Sequence, residues 1–162
     1  MADAAVLTIS DSVAAGTRAD RSGPAVRERL EQLGWQVPVL EVVPDDAARI
    51  GARLAALADG GTLAAVFTTG GTGLAARDVT PEATRAVLDR EIPGFGELMR
   101  SEGRRSTPLA ALSRAVSGTR GRVLIVNLPG SSKGAVESLD AIAELVPHVL
   151  DLLRGKTAHE AR

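Results

Sequence analysis

The sequence predicts an α/β fold: a three-layer, doubly wound, mostly parallel sheet flanked by helices. Three observations carry this. Short apolar runs alternate with helical patterns along the whole chain, the rhythm of a parallel sheet with right-handed crossovers. Of 162 residues, 44% are hydrophobic but only 2% aromatic, with no Tyr, so the core is built from Ala, Val, Leu and Ile, a mixture suited to strands buried on both faces. Each apolar run also ends in a cluster of Ser, Asp, Thr, Gly or Pro, where such a fold places its ligands.

The elements follow in order. Ala4 to Ile9 is a buried strand feeding a loop at Ser10-Asp11-Ser12. Ser22 and Pro24 open a helix that runs to Leu33, with Gly34 as its stop. Val37 to Val43 is a second strand, and Pro44-Asp45 leads into a helix with Ile50, Leu54 and Leu57 on one face. Thr62 to Thr68 is a third strand between Gly60-Gly61 and Gly70-Gly71. Thr80-Pro81-Glu82 reads as a helix start with Thr80 as the capping hydroxyl. Pro93-Gly94 and the stretch from Gly103 to Pro108 punctuate two short helical pieces. Arg122 to Asn127 is a fourth strand, and one last helix is expected from about Lys133 to Leu153. The chain reads as a single domain over 1–154 with a tail over 155–162.

Composition excludes several functions. The chain has no Cys, so disulfides, thiolate metal sites and cysteine nucleophiles are ruled out. A formal net charge of −1 argues against a nucleic-acid or membrane-surface protein driven by bulk electrostatics. The apolar runs are too short to span a bilayer and the first residues do not form a signal peptide, so a cytoplasmic location is expected.

Three loops at strand ends are candidates for chemistry: Ser10-Asp11-Ser12, Thr69-Gly70-Gly71-Thr72-Gly73 and Pro129-Gly130-Ser131-Ser132. The glycine loop is the most telling. Glycines let backbone N–H groups turn toward an anion, and the hydroxyls of Thr69 and Thr72 add donors. A bulky residue at Gly71 is therefore expected to abolish ligand binding with little loss of fold. Asp78 and Asp45 each have two readings, a helix-entry cap or a functional carboxylate, and Asp45 is also a candidate hard ligand for Mg²⁺ beside phosphates. Two motif matches fail. Gly155-Lys156-Thr157 resembles the end of a phosphate-binding loop, but the required earlier glycine is Leu150. Gly130-Ser131-Ser132-Lys133-Gly134 matches a nucleophile elbow, but of the two histidines His148 lies about 16 residues along the following helix and His159 lies in the tail.

Together, Thr69-Gly70-Gly71-Thr72-Gly73 and Arg77-Asp78-Val79-Thr80-Pro81-Glu82 resemble the signature of the MogA/MoaB family of molybdenum-cofactor biosynthesis proteins. Thr8 to Ser12, Asp20 to Pro24, Val43-Pro44-Asp45, Pro93-Gly94-Phe95, Leu112-Ser113-Arg114 and Leu128-Pro129-Gly130 fall in the family's order. The resemblance implies the molybdopterin-binding fold and a molybdopterin adenylyltransferase that uses ATP as co-substrate and Mg²⁺ as cofactor. The molybdopterin phosphate would attack the α-phosphorus of ATP and release pyrophosphate. It further implies Asp45 as a catalytic, Mg²⁺-linked carboxylate, Asp78 as the pterin-side carboxylate and Ser113 as a substrate-pocket serine. Ser10, Asp11, Ser12, Gly70 to Gly73 and Pro129 to Ser132 are implied substrate-binding positions. A homotrimer and a downstream molybdate-insertion partner are implied as well. Ser131-Ser132-Lys133 looks closer to the MoaB branch, which keeps a non-catalytic molybdopterin-binding or scaffolding protein as the alternative.

Overall fold

The computed structural model describes residues 2–156. Six strands form one sheet: β1 (Asp3–Ile9), β2 (Gln36–Val43), β3 (Ala65–Thr69), β4 (Arg90–Glu91), β5 (Ser117–Arg120) and β6 (Val123–Leu128). Their order is β2-β1-β3-β6-β5-β4. The pairs β1–β2, β1–β3 and β3–β6 are parallel, whereas β5 runs antiparallel to both β6 and β4. The sheet is thus mostly parallel with an antiparallel edge that the apolar pattern does not reveal.

The helices are α1 (Asp11–Ala14), α2 (Ser22–Gln32), α3 (Ala47–Asp59), α4 (Thr80–Arg85), α5 (Pro93–Gly103), α6 (Ser132–Ile142) and α7 (Val146–Leu153), with a 3₁₀ turn over Pro108–Leu112. Alternating strand residues divide the core in two. Ala4, Val6, Phe67 and Val126 pack against α2, α5, α6 and α7 through Leu30, Met99, Leu139 and Leu150. Ala5, Leu7, Val66 and Ile125 pack on the other face against α3 and α4 through Ile50, Leu54 and Ala83. Phe67 meets Trp35 edge-on, with ring centroids 6.0 Å apart. Three layers result, as the alternation of elements requires.

Several local expectations are corrected. The single last helix is two, because Pro147 lacks a backbone N–H and sits in the first turn of α7. His148 therefore lies on α7, not on the helix that follows Ser132, and His159 lies outside the described residues. Ser10-Asp11-Ser12 is not all loop: Ser10 caps the single turn α1, its Oγ accepting from Val13 N–H. The cap of α3 is Asp46, which accepts from Arg49 N–H at 2.9 Å, so Asp45 is not a cap. Neither is Asp78, and Thr80 is the first residue of α4 with its Oγ1 buried and unpartnered. Strand β3 starts at Ala65 instead of Thr62. At the chain's end, Lys156 N–H donates to Asp151 O at 2.9 Å, and residues 157–162 of the expected tail lie outside the described part. No helix among the described residues is long and apolar enough to cross a membrane.

Candidate active site

The chain leaves β1 for β2 on one side, then returns to place β3 on the other, so the carboxyl ends of β1 and β3 flank the point where strand order reverses. The strand ends are laced together there. Ser10 N–H donates to Val43 O at 3.0 Å, and Gly70 N–H donates to Leu128 O at 3.1 Å. Gly70, at φ 97°, lies so close to β1 that a Cβ would sit 2.4 Å from Ile9 O. Only glycine fits that contact and that backbone region together. Gly71, at φ 67°, continues the turn. Among the described residues, the N–H groups of Gly71, Thr72 and Gly73 find no protein acceptor, so three successive donors are available to an anion.

Two clefts meet at this loop. The larger, of about 500 Å³, is lined by Gly71, Thr72, Gly73, Asp78 and Ser113, by the apolar side chains of Met99, Leu109 and Leu112, and by Arg100. The smaller, of about 390 Å³, is polar, with Ser10, Arg18, Asp20, Arg21, Ser22, Asp45, Thr69 and Gly70 among its lining residues. Gly71, Asp78, Gly130 and Ser131 line both. Two ligands of different character can therefore meet across a wall of small residues and one carboxylate.

The carboxylates differ in environment. Asp45 and Asp11 exchange hydrogen bonds between neighbouring strand ends: Asp11 N–H donates to Asp45 Oδ2 at 2.9 Å, and Asp45 N–H donates to Asp11 Oδ1 at 3.0 Å. Arg77 grips Asp11 with Nε and Nη2 at 2.9 and 3.0 Å, which holds the Asp11 carboxyl below the usual range. Asp45 is pushed above its usual range, chiefly by burial and also by the charges of Asp11 and Asp78, against the pull of the Asp11 N–H and Arg77. Asp78 Oδ2 accepts from Ala75 N–H at 2.9 Å and lies under Gly73, where a Cβ would be 2.8 Å away.

The placement of the other expected residues is mixed. The Thr69 hydroxyl is buried and paired with Ser22 Oγ at 2.6 Å, tying α2 to β3. Ser131 Oγ accepts from Gly134 N–H and caps α6. Asp11, Ser12 and Ser132 line neither cleft; Ser12 Oγ is 3.2 Å from Ser10 Oγ. Pro129 lines only the larger cleft. Sequence reasoning missed Arg100, Met99, Leu109 and Leu112, which come from α5 and the 3₁₀ turn, and Arg18, Asp20 and Arg21 on the polar side. In the sequence, Asp20-Arg21-Ser22 stands out only within the family resemblance, with Ser22 as part of a helix entry, and not as a lining of the site.

A doubly wound fold with two adjoining clefts at its switch point has the form of a small-molecule-binding α/β protein. The family described as "Probable molybdopterin binding domain" matches residues 5–148, and the chain belongs to that family. The molybdopterin adenylyltransferase of Helicobacter pylori (strain J99) is 41% identical over 152 residues, covering 93% of this chain and 86% of the relative. That of Escherichia coli (strain K12) is 40% identical over 164 residues, covering 93% and 84%. Among solved structures, the molybdopterin biosynthesis enzyme MoaB of Thermus thermophilus aligns with a TM-score of 0.90 at 52% identity, covering 96% of this chain and 98% of that one.

Proposed function

We propose that this protein is a molybdopterin adenylyltransferase, transferring AMP from ATP to the phosphate of molybdopterin with release of pyrophosphate. The observation that supports this reading most is the pair of unlike clefts sharing Gly71, Asp78, Gly130 and Ser131. The larger cleft, with apolar walls and Arg100 as its cation, suits the flat pterin and its phosphate. The polar cleft at the start of α2 suits the nucleotide, since a helix N-terminus favours phosphate. An oxygen of the molybdopterin phosphate attacks the α-phosphorus of ATP, and the bond from that phosphorus to the β-phosphate bridge oxygen breaks. Such a transfer depends on positioning and charge neutralisation more than on a covalent nucleophile. The free N–H groups of Gly71, Thr72 and Gly73 are placed for that neutralisation, and Asp78 holds the pterin side.

The donor set also fits Mg²⁺. This ion is commonly held by one or two carboxylates while substrate phosphates and water complete its octahedron. Asp45 lines the polar cleft and spends one oxygen on Asp11 N–H, leaving Oδ1 available. Bound there, Mg²⁺ would neutralise charge on the ATP phosphates.

Incubation with molybdopterin, ATP and Mg²⁺ followed by mass spectrometry tests the reading: adenylylated molybdopterin and pyrophosphate are expected in equal amounts. Molybdopterin binding with no product would overturn the enzyme and leave a binding protein. We further propose a homotrimer, for which light scattering at micromolar concentration gives about three times the 16.7 kDa chain mass; a monomer mass would refute it.

A further inference from the structure

The segment that carries Asp78 has little of its own to hold it. Leu74, Ala75, Ala76 and Arg77 are all exposed, so no hydrophobic burial fixes their course. Ala75 N–H donates to Asp78 Oδ2 and Asp78 N–H donates to Ala75 O. These bonds close a turn on itself without attaching it to the fold. The Arg77–Asp11 pair does attach it, but through an Arg77 side chain that is 69% exposed, where ion pairs contribute little.

Arg114 supplies the missing attachment. It stands between the 3₁₀ turn and β5, lines neither of the two site clefts, and its side chain is only 31% exposed. Its backbone N–H donates to Thr72 O at 2.9 Å. Nε donates to Gly73 O at 2.8 Å and Nη2 donates to Asp78 O at 2.8 Å, while Nη1 pairs with the carboxylate of Glu82. One planar guanidinium thus holds both ends of the 73–78 loop and the helix that follows it. Lysine cannot reproduce this, because it presents a single flexible ammonium in place of a rigid fork. The preceding residue, Ser113, lines the larger cleft, so the same short segment contributes one wall and fixes the opposite one.

We propose that Arg114 is the positioning residue for Asp78: by holding the carbonyls of Gly73 and Asp78 it sets the carboxylate between the two clefts and organises the loop for molybdopterin. This rests on the reading of Asp78 as the pterin-side carboxylate. Two charge-assisted hydrogen bonds to backbone are removed when Arg114 is replaced, so molybdopterin affinity is expected to fall about 10- to 100-fold. The polar cleft touches this loop only at its edges, so ATP affinity should change less than about threefold, the size of one weak contact.

The test uses full-length Arg114→Ala, Arg114→Lys and Glu82→Gln, with Asp78→Ala and Asp78→Ala/Arg114→Ala beside them. Calorimetric titrations with molybdopterin and with ATP are combined with amide hydrogen exchange of the protein without ligand. The inference expects Arg114→Lys to weaken molybdopterin as much as Arg114→Ala does, with lost protection over 73–79 and unchanged protection in β3 and β6. Glu82→Gln, which keeps both carbonyl bonds, should stay within about twofold of wild type, as expected for a half-exposed ion pair. Adding Arg114→Ala to Asp78→Ala should cost little more, since both act through one group. If Arg114→Ala does not fold, Arg114→Lys alone carries the comparison. Recovery of binding by Arg114→Lys, or equal damage from Glu82→Gln, would make Arg114 a charge partner and overturn the proposal. So would undiminished protection over 73–79, which reads the clamp with no ligand present. Failure of wild type to bind molybdopterin would instead overturn the functional reading and leave the exchange result standing.

Discussion

Asp45→Asn is expected to lower adenylyl transfer by about two orders of magnitude, the loss typical of one well-placed electrostatic group, while molybdopterin affinity changes little. The asymmetry comes from position. Asp45 lines only the polar cleft, whereas Asp78 lines both. A carboxylate that holds Mg²⁺ on the nucleotide matters most when charge develops in the transition state. Asparagine preserves the exchange with Asp11, because its carbonyl oxygen can still accept from Asp11 N–H. Loss of activity is thereby separated from loss of structure. Product yield, molybdopterin affinity and thermal midpoint measured on one preparation decide the matter, and normal yield would remove Asp45 from the mechanism.

The same residue gives a pH dependence with a definite sign. In the proposed mechanism Asp45 acts as the anion, and its pKa is raised above the ordinary carboxylate value. Activity therefore declines on acidification at a higher pH than an ordinary aspartate would allow. Arg77→Gln removes a cation that pulls this pKa down, so the acid limb should move to still higher pH; a shift in the opposite direction would contradict the assignment. Stability runs the other way. A folded-state pKa above the unfolded one favours the protonated form, so the Asp45 contribution is full below the unfolded pKa and is lost as pH rises through the folded value. Asp45→Asn should thus melt above wild type at neutral pH in the absence of ligand, with the difference closing in acid. A functional carboxylate held at a cost to stability is a common compromise.

The parallel part of the fold was legible because it is written locally. The buried runs of β1 and β6 and the helical stripe Ile50, Leu54, Leu57 each state their own period. The antiparallel edge was not. Ser117-Gly118-Thr119-Arg120 contains no apolar side chain, and its place is set by contact: a Cβ at Gly118 would lie 2.2 Å from Arg90 O. The break before α7 did have a signal, Pro147, which the continuous helical spacing of Leu139, Ile142, Val146 and Val149 masked. In the site, the glycine loop announced itself because positive φ and close approach demand glycine. The Asp11–Asp45 exchange joins residues 34 apart, and the Arg114 bonds join residues 36 and 41 apart. Such pairings arise only once strand order is fixed, so no local pattern marks them.

Gly71→Val is expected to abolish binding of both ligands and also to lower stability, against the expectation from sequence that the fold would barely notice. The structure shows why. A Cβ at Gly71 would lie 2.2 Å from Thr80 Oγ1 and 3.1 Å from Asp45 Oδ1, so it meets the protein before it meets a phosphate. The left-handed backbone at φ 67° costs a residue with a side chain about 1–2 kcal/mol, more when it is β-branched. Crowding Thr80, which is fully buried, adds about 1–3 kcal/mol. Together these imply a drop in thermal midpoint on the order of 5–15 °C for a domain of this size. Binding fails for a separate reason: Gly71 belongs to the wall shared by both clefts, and its N–H is the first of the three free donors. Gly71→Ala and Gly71→Ala/Thr80→Ala separate the two effects. Removing the Thr80 hydroxyl relieves the closest contact and should return part of the lost midpoint, while the strained backbone and the methyl group at the shared wall keep affinity for ATP and molybdopterin low. Calorimetric titration with each ligand, alongside thermal melts of the three variants, distinguishes these outcomes. Wild-type affinity for both ligands in Gly71→Ala would take the glycine loop out of the site.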